Sequence, residues 1–300
     1  MAPYLTEFDR YADEVSVVTC DQAHDASLVT FALLWYPEDD FFDRYPNVRV
    51  VASIAAGVDS ILACPSIRDD VIVCRNRDAE QASIMSTFAI WNVINHQRCF
   101  AQYRQQQEEQ VWQRLPMRAP SEVNVGVLGL GFMGEKMVND LYTLGFDVAG
   151  WRKSDKRLDN SEITVFSGDA QLASFLQRTE VLICVLPLTP QTQGILSAEL
   201  FAQLKPNAYL IQLGRGGHLI TDDLLRALDD GSLTGASLDV FDEEPLPSNS
   251  PFWQHPRILV TPHDASDVRP QAAVENLVEE VRRFSMGEMP NNKVEPARGY

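Results

Sequence analysis

The apolar run Asn124–Leu128 leads directly into Gly129-Leu130-Gly131-Phe132-Met133-Gly134 and then into a helical pattern from Glu135 to Leu144. No other feature constrains the fold as strongly. Glycines at this spacing, between a strand and a helix, permit a tight turn, a close approach to the backbone and close helix–strand packing. The helix start presents unsatisfied N–H groups and a positive dipole end, which suit the pyrophosphate of a dinucleotide. Gly129, Gly131 and Gly134, with Phe132 and Met133 between them, are therefore candidate cofactor-binding residues. An isolated glycine pattern can also be a turn without a ligand, but the flanking strand and helix weigh against that.

The same alternation of short apolar runs and helical patterns continues along the whole chain. It predicts an α/β fold of two Rossmann-like domains with parallel sheets. Strands are expected near Val15–Thr19, Ala32–Trp35, Arg49–Ser53 and Val71–Cys74, then at Asn124–Leu128, Asp147–Trp151, Val181–Leu186, Ala208–Leu213, Gly235–Val240 and Ile258–Val260. A long helix from Ala79 to about Gln110 would form a spine, and a last amphipathic helix covers Arg269–Phe284. Three hundred residues exceed the usual size of one core. The expected division is residues 1–90 with 285–300 as a substrate-binding domain, and 91–284 as a nucleotide-binding domain. The chain would thus leave one domain and return to it.

Twenty-five Lys and Arg against 42 Asp and Glu give a net charge of −17. Such a chain repels nucleic acid and anionic membranes, so neither is an expected partner. A small anionic substrate would need a local cationic pocket. The N-terminal MAPYLTEFDRYADE lacks the basic and apolar stretches of a secretory signal, and no apolar run approaches a membrane span. The five cysteines are scattered without metal-ligand spacing, so no metal is expected and a reducing, cytoplasmic location fits.

The strand after the glycines bears on the cofactor. NAD sites place an acid there, about 20 residues on, to bond the ribose 2′-OH. This chain instead reads Gly150-Trp151-Arg152-Lys153-Ser154. Arg152 and Lys153 would neutralise a 2′-phosphate and Ser154 would donate to it, so NADP (NADPH) is favoured over NAD. Trp151 is counted with this set. The alternatives are charges that simply face solvent, or Asp155 reaching the ribose.

Three further residues follow apolar runs: Arg215 in QLGRGG, Glu244 in LDVFDEEPLP and His263 in TPHD. All fall at or beyond expected carboxyl ends of strands, where open α/β sheets bind ligands. An arginine to hold a carboxylate, a histidine to move a proton and a carboxylate to orient it are the groups carbonyl reduction needs.

These segments, with AAGVDSIL (Ala55–Leu62), LPLTPQTQGIL (Leu186–Leu196), GRGGHLITDDLLRALDDG (Gly214–Gly231) and FWQHPRILVTPH (Phe252–His263), resemble the D-isomer-specific 2-hydroxyacid dehydrogenases. The nearest likeness is to a branch that reduces glyoxylate and hydroxypyruvate. It extends from about Trp35 to the last helix. The resemblance implies a cleft between two domains as the active site, and a homodimer joined mainly through the cofactor domains. It implies that Arg215 clamps the substrate, that His263 exchanges a proton with the keto oxygen, and that Glu244 orients the imidazole. It further assigns substrate binding to the N–H groups of Ala56, Gly57 and Val58 and to Trp35. Asp239 would meet the nicotinamide carboxamide. Leu186, Pro187 and Thr192 would line the cofactor path, with Leu213 and Gly214 in the same set.

Several positions depart from the common family pattern. Gln212 stands where Asn is frequent, Gly214 where Ala is frequent, and Asp264 follows His263 where an apolar residue is usual. None removes a catalytic group. The expected activity is NADPH-dependent reduction of a small 2-ketoacid. Reduction of larger 2-ketoacids such as phenylpyruvate and non-catalytic nucleotide sensing are the alternatives.

Overall fold

A computed structural model of the chain describes residues 2–295. It contains two compact units, one formed by the chain up to Gln81 together with the segment from Asp267 onward, the other by Ala82–Ser266. The first unit holds a three-stranded parallel sheet of β1 (Phe31–Leu34), β2 (Val50–Ser53) and β3 (Ile72–Cys74), in that order. The C-terminal stretch runs back along β3. Val294 donates its N–H to the Val73 carbonyl at 2.8 Å, and Arg75 donates to Asn292 at 3.1 Å.

The second unit is built on a seven-stranded sheet whose paired neighbours are all parallel. Its strands are β4 (Asn124–Leu128), β5 (Asp147–Arg152), β6 (Thr164–Ser167), β7 (Val181–Cys184), β8 (Ala208–Gln212), β9 (Leu233–Leu238) and β10 (Ile258–Val260). Their order across the sheet is β10-β9-β8-β7-β4-β5-β6. Side chains alternate between two cores, as the period of two requires. Val125, Val127, Val181 and Ile183 face one core with Met137, Val138 and Leu141 of the helix Phe132–Thr143. Leu128, Leu182, Cys184 and Leu210 face the other with Phe175, Leu224 and Leu228.

Four expectations change. Val15–Thr19 forms no strand: Val17 and Val18 point substantially into solvent, and no neighbouring strand takes up their backbone groups. The expected spine is two helices, Ala79–Gln97 and Phe100–Glu108, separated at Cys99, whose φ is 55°. The second helix buries no residue, so no packing holds it in line with the first. The edge strand β6 and the helix Leu172–Arg178 were not expected. Finally, the unit boundaries fall near residues 81 and 266, not 90 and 285. The last helix, Pro270–Ser285, sits with the first unit because Leu277, Val281 and Phe284 pack beside Val50, Ala52 and Cys74. The expected membership of residues 296–300 lies outside the described residues.

All five cysteines are free, and burial pushes the thiols of Cys74 and Cys184 up to about 12. One buried charge cluster ties the sheet's amino-terminal end to the helices. Glu180 precedes β7 and accepts from Arg118 Nη2 at 2.8 Å and pairs with His96 Nε2 at 3.0 Å. Burial alone would push its carboxyl up, but these hydrogen bonds outweigh burial and hold it at about 2, below the ordinary 4.5. A depressed folded-state value stabilises the fold above the unfolded value, and this contribution disappears as pH falls from about 4.5 to about 2. Glu180→Gln should therefore lower urea stability by about 2 kcal/mol at neutral pH, with the gap closing through that window. A gap that stays constant to low pH would remove Glu180 from the acid response.

Candidate active site

In the sheet of the second unit, strand order reverses at β4, which has β5 on one side and β7 on the other. The crevice beyond the carboxyl ends of such strands is where open α/β sheets take ligands. Gly129 follows β4 there with φ +115°, a conformation costly for other residues. A Cβ at Gly134 would lie 1.9 Å from the Gly129 carbonyl oxygen, so helix and turn touch through backbone. A Cβ at Gly131, by contrast, would meet no atom within 4 Å. The open side of the turn thus lies at the N-cap of the helix Phe132–Thr143, as pyrophosphate binding requires. Met133 packs on the core, while Phe132 is partly exposed.

The end of β5 is only partly as expected. Trp151 is buried, and its indole N–H donates to the Gly168 carbonyl at 3.0 Å, so its ring belongs to the core. Lys153 is engaged by Asp169 at 2.6 Å, and Ser154 is exposed. Arg152 donates from Nη1 to Glu135 Oε1 at 3.2 Å, and its buried Nε has no acceptor among the described residues. Lys156, two residues beyond the Arg152–Ser154 set, lies 3.6 Å from the same Glu135 oxygen. The cue was visible in RKSDKR, a basic run in an acidic chain.

Leu186 and Leu213 are buried, and Pro187 is partly so. Thr192 is tied into its own loop, its hydroxyl donating to the Pro187 carbonyl at 2.7 Å. His218 joins this loop to the arginine. The Arg215 N–H donates to His218 Nδ1 at 3.0 Å, so Nδ1 is the bare nitrogen and Nε2–H is left to donate to the Pro187 carbonyl at 3.2 Å. Gly214 makes room for that ring, because a Cβ there would lie 2.8 Å from Nδ1. Gln212, in place of Asn, donates to the Arg215 carbonyl at 2.9 Å.

Arg215, Glu244 and His263 all lie on loops that follow carboxyl ends of strands: Arg215 after β8, Glu244 after β9 and His263 after β10. His263 Nδ1 and Glu244 Oε2 are 2.8 Å apart, and Glu244 Oε1 accepts the Phe241 N–H at 2.9 Å. An ionised Glu244 fixes the Nδ1–H tautomer and leaves Nε2 as the nitrogen that exchanges a proton. His263 has φ 55°, a left-handed conformation rare outside glycine. Asp239 holds that turn. Its buried carboxylate accepts from Thr261 Oγ1 at 2.6 Å, Asp264 N–H at 2.9 Å and Ala265 N–H at 3.0 Å. Asp239, expected at the nicotinamide carboxamide, thus also braces the histidine turn, and among the described residues its Oδ2 accepts only the Ala265 N–H. Asp264 contributes its backbone to this arrangement.

In the first unit, Trp35 follows β1 and the Ala56–Val58 turn follows β2, so both lie at carboxyl ends of adjacent parallel strands. Ser53 Oγ donates to the Gly57 carbonyl at 2.6 Å and closes the turn. The N–H groups of Ala56, Gly57 and Val58 have no acceptor among the described residues. Successive free N–H groups make an anion-binding concavity. The Val58 side chain itself lies in the core, and Trp35 meets Tyr36 edge-on at 5.3 Å. Among the described residues no group of three or more His, Cys, Asp or Glu side chains could hold a metal ion.

The arginine and glutamate loops touch at Gly216, where a Cβ would lie 1.9 Å from the Phe241 carbonyl carbon. Gly216→Ala should force these loops apart, costing about 2 kcal/mol of stability. Displacement of the groups it supports should reduce turnover about 100-fold. Thermal melting and steady-state rates check this; unchanged turnover would mean that the loop contact does not set the site's geometry.

The sequence profile described as D-isomer specific 2-hydroxyacid dehydrogenase, NAD binding domain, matches residues 90–265. A glyoxylate/hydroxypyruvate reductase A from Serratia proteamaculans (strain 568) is 38% identical over 275 residues, covering 90% of this chain and 87% of the relative. Among solved structures, a D-isomer specific 2-hydroxyacid dehydrogenase from Xanthobacter autotrophicus Py2, in complex with NADPH and MES, superposes with a TM-score of 0.94 at 36% identity. That match covers 100% of this chain and 96% of the other. An NADPH-dependent glyoxylate/hydroxypyruvate reductase from Sinorhizobium meliloti, in complex with NADP and sulfate, gives 0.89 at 35% identity over 93% of this chain and 89% of the other. Matched by this family profile over more than half of its length and 38% identical to a relative over 90% of its residues, the chain belongs to the D-isomer-specific 2-hydroxyacid dehydrogenases.

Proposed function

We propose that this protein is an NADPH-dependent reductase of small 2-ketoacids, with glyoxylate and hydroxypyruvate as the favoured substrates. The 2.8 Å pair of His263 and Glu244 carries the reading, because it sets up one imidazole nitrogen as a proton donor. The relatives named for glyoxylate and hydroxypyruvate, and those solved with NADPH or NADP, supply the substrate and cofactor class.

When bound, the nicotinamide supplies the hydride that the carbonyl carbon accepts. The residues present fit such a cofactor: the turn is open at Gly131, and Arg152 at the end of β5 has an Nε donor without an acceptor among the described residues. Arg215 binds the substrate carboxylate and polarises the keto oxygen, with its backbone fixed by Gln212 and His218. In the first unit, the N–H groups of Ala56, Gly57 and Val58 and the Trp35 side chain are the proposed substrate-binding groups. His263 gives its Nε2 proton to the keto oxygen and takes it back in the reverse direction. Glu244 keeps the ring oriented and offsets its positive charge while it is protonated.

A homodimer formed through the Ala82–Ser266 unit is part of this proposal. Trp112 is fully exposed there, and Val111 and Met117 are also exposed, an apolar surface that suits a partner copy. Sedimentation should give twice the chain mass, and a monomer would overturn this part. A cytoplasmic location is proposed as well, in line with five free cysteines and with no described helix long and apolar enough to cross a membrane.

Loss of NADPH absorbance with glyoxylate, hydroxypyruvate, pyruvate and phenylpyruvate, with NADH in parallel, tests the activity. Fastest loss with NADPH and with glyoxylate and hydroxypyruvate is expected, and preference for phenylpyruvate would reassign the substrate. His263→Ala should reduce turnover roughly a thousandfold while NADPH binding persists. Arg215→Gln should raise KM for the ketoacid and lower kcat as well, since it removes both the carboxylate contact and the polarising charge. Full turnover in His263→Ala would refute the proton-transfer assignment, and NADPH binding without turnover in the wild type would favour a sensor.

A further inference from the structure

The basic residues at the end of β5 are not all available to a phosphate. Lys153 pairs with Asp169 at the surface, with ammonium–carboxylate distances of 2.6 and 2.5 Å. Arg152 and Lys156 converge on a single oxygen of Glu135, at 3.2 and 3.6 Å. Glu135 occupies the first turn of the helix that the glycine turn opens, and its N–H donates to the Gly131 carbonyl at 2.8 Å. The helix dipole favours an acid at this position. Arg152 is largely buried, with a side chain 12% exposed. Besides Glu135 its Nη1 reaches the Lys156 carbonyl at 3.3 Å, while Nε has no acceptor among the described residues.

The charge balance follows. Arg152, Lys156 and Glu135 together carry one net positive charge, and Lys153 with Asp169 carries none. A 2′-phosphate brings nearly two negative charges, whereas the 2′-hydroxyl of NADH brings none. Any phosphate held by Arg152 or Lys156 must share those cations with the Glu135 carboxylate and is repelled by it. The hydroxyl meets no such repulsion.

We propose that Glu135 is a specificity-determining residue that holds the NADPH-over-NADH preference below what Arg152 and Lys156 alone would give. This rests on the NADPH reading above. The carboxylate acts by occupying and partly neutralising the cations that the 2′-phosphate needs. Because it acts on the cations at the end of β5, its effect should fall on cofactor affinity.

Isothermal calorimetry of NADPH and NADH binding to wild type, Glu135→Gln, Glu135→Ala and Arg152→Gln tests the proposal without relying on turnover. Glu135→Gln keeps an oxygen acceptor for Arg152 and removes the charge. It should tighten NADPH about tenfold, the size of one unscreened charge interaction at close range, and leave NADH nearly unchanged. Glu135→Ala should shift the ratio the same way, and added salt should shrink the gain. A ratio unchanged or lowered in both Glu135 variants overturns the role of Glu135. Failure of the underlying reading is distinct: the wild type would bind NADH at least as tightly as NADPH, and Arg152→Gln would leave the ratio where it was.

Discussion

A parallel sheet buried on both faces leaves little but its ends for chemistry. In the Ala82–Ser266 unit the alternating side chains of β4, β7 and β8 are consumed by two cores, so polar groups on those strands cannot face a ligand. The loops that leave the carboxyl ends carry what remains: the glycine turn after β4, Arg152 at the end of β5, Arg215 after β8, Glu244 after β9 and His263 after β10. Parallel direction is what gathers them at one edge. The same pairing in antiparallel order would scatter these loops between two edges.

Within that edge, the reactive groups are held by neighbours that do no chemistry themselves. His263 sits in a left-handed backbone conformation that the buried Asp239 stabilises through its three donors on the same turn. The Arg215 backbone is bracketed by Gln212 and a neutral His218, and Gly216 lets its loop rest on the segment that leads to Glu244. Strain and close backbone contact of this kind persist only where surrounding bonds over-determine them. Replacement of a supporting residue is therefore expected to act through geometry, whereas replacement of His263 acts on the proton itself.

Much of this was legible in the sequence. Asn124–Leu128 and Ile258–Val260 form strands with the expected ends, because short apolar runs bounded by turn residues have few other solutions. His263 and Glu244 were paired by residue type and order, and they are in contact. Other features depended on tertiary context. Val15–Thr19 has a β-branched pattern but no strand beside it, and β6, the half-exposed TVFS, is not an apolar run and stands out only through its pairing with β5. His218 and Lys156 gave no periodic signal. Each is identified by what it touches, the Arg215 N–H and the Glu135 carboxylate. Asp239 was noticed for its position, while its bonds to the histidine turn depend on a contact between residues 22 or more positions apart.

The net charge of −17 gives the local cations their weight, since a chain of this charge repels an anionic cofactor and an anionic substrate at long range. Attraction must come at close quarters, from Arg152 and Lys156 for the cofactor and from Arg215 for the acid. The central claim is that this edge of the sheet delivers a hydride and a proton to a 2-ketoacid. Its most direct test is a single-turnover measurement of NADPH absorbance on mixing with glyoxylate, using NADPH carrying hydrogen or deuterium at the transferable position. The account predicts rapid decay that slows with the deuterated cofactor, with one 2-hydroxyacid formed per NADPH consumed. Bound NADPH that keeps its absorbance with every 2-ketoacid offered would contradict it.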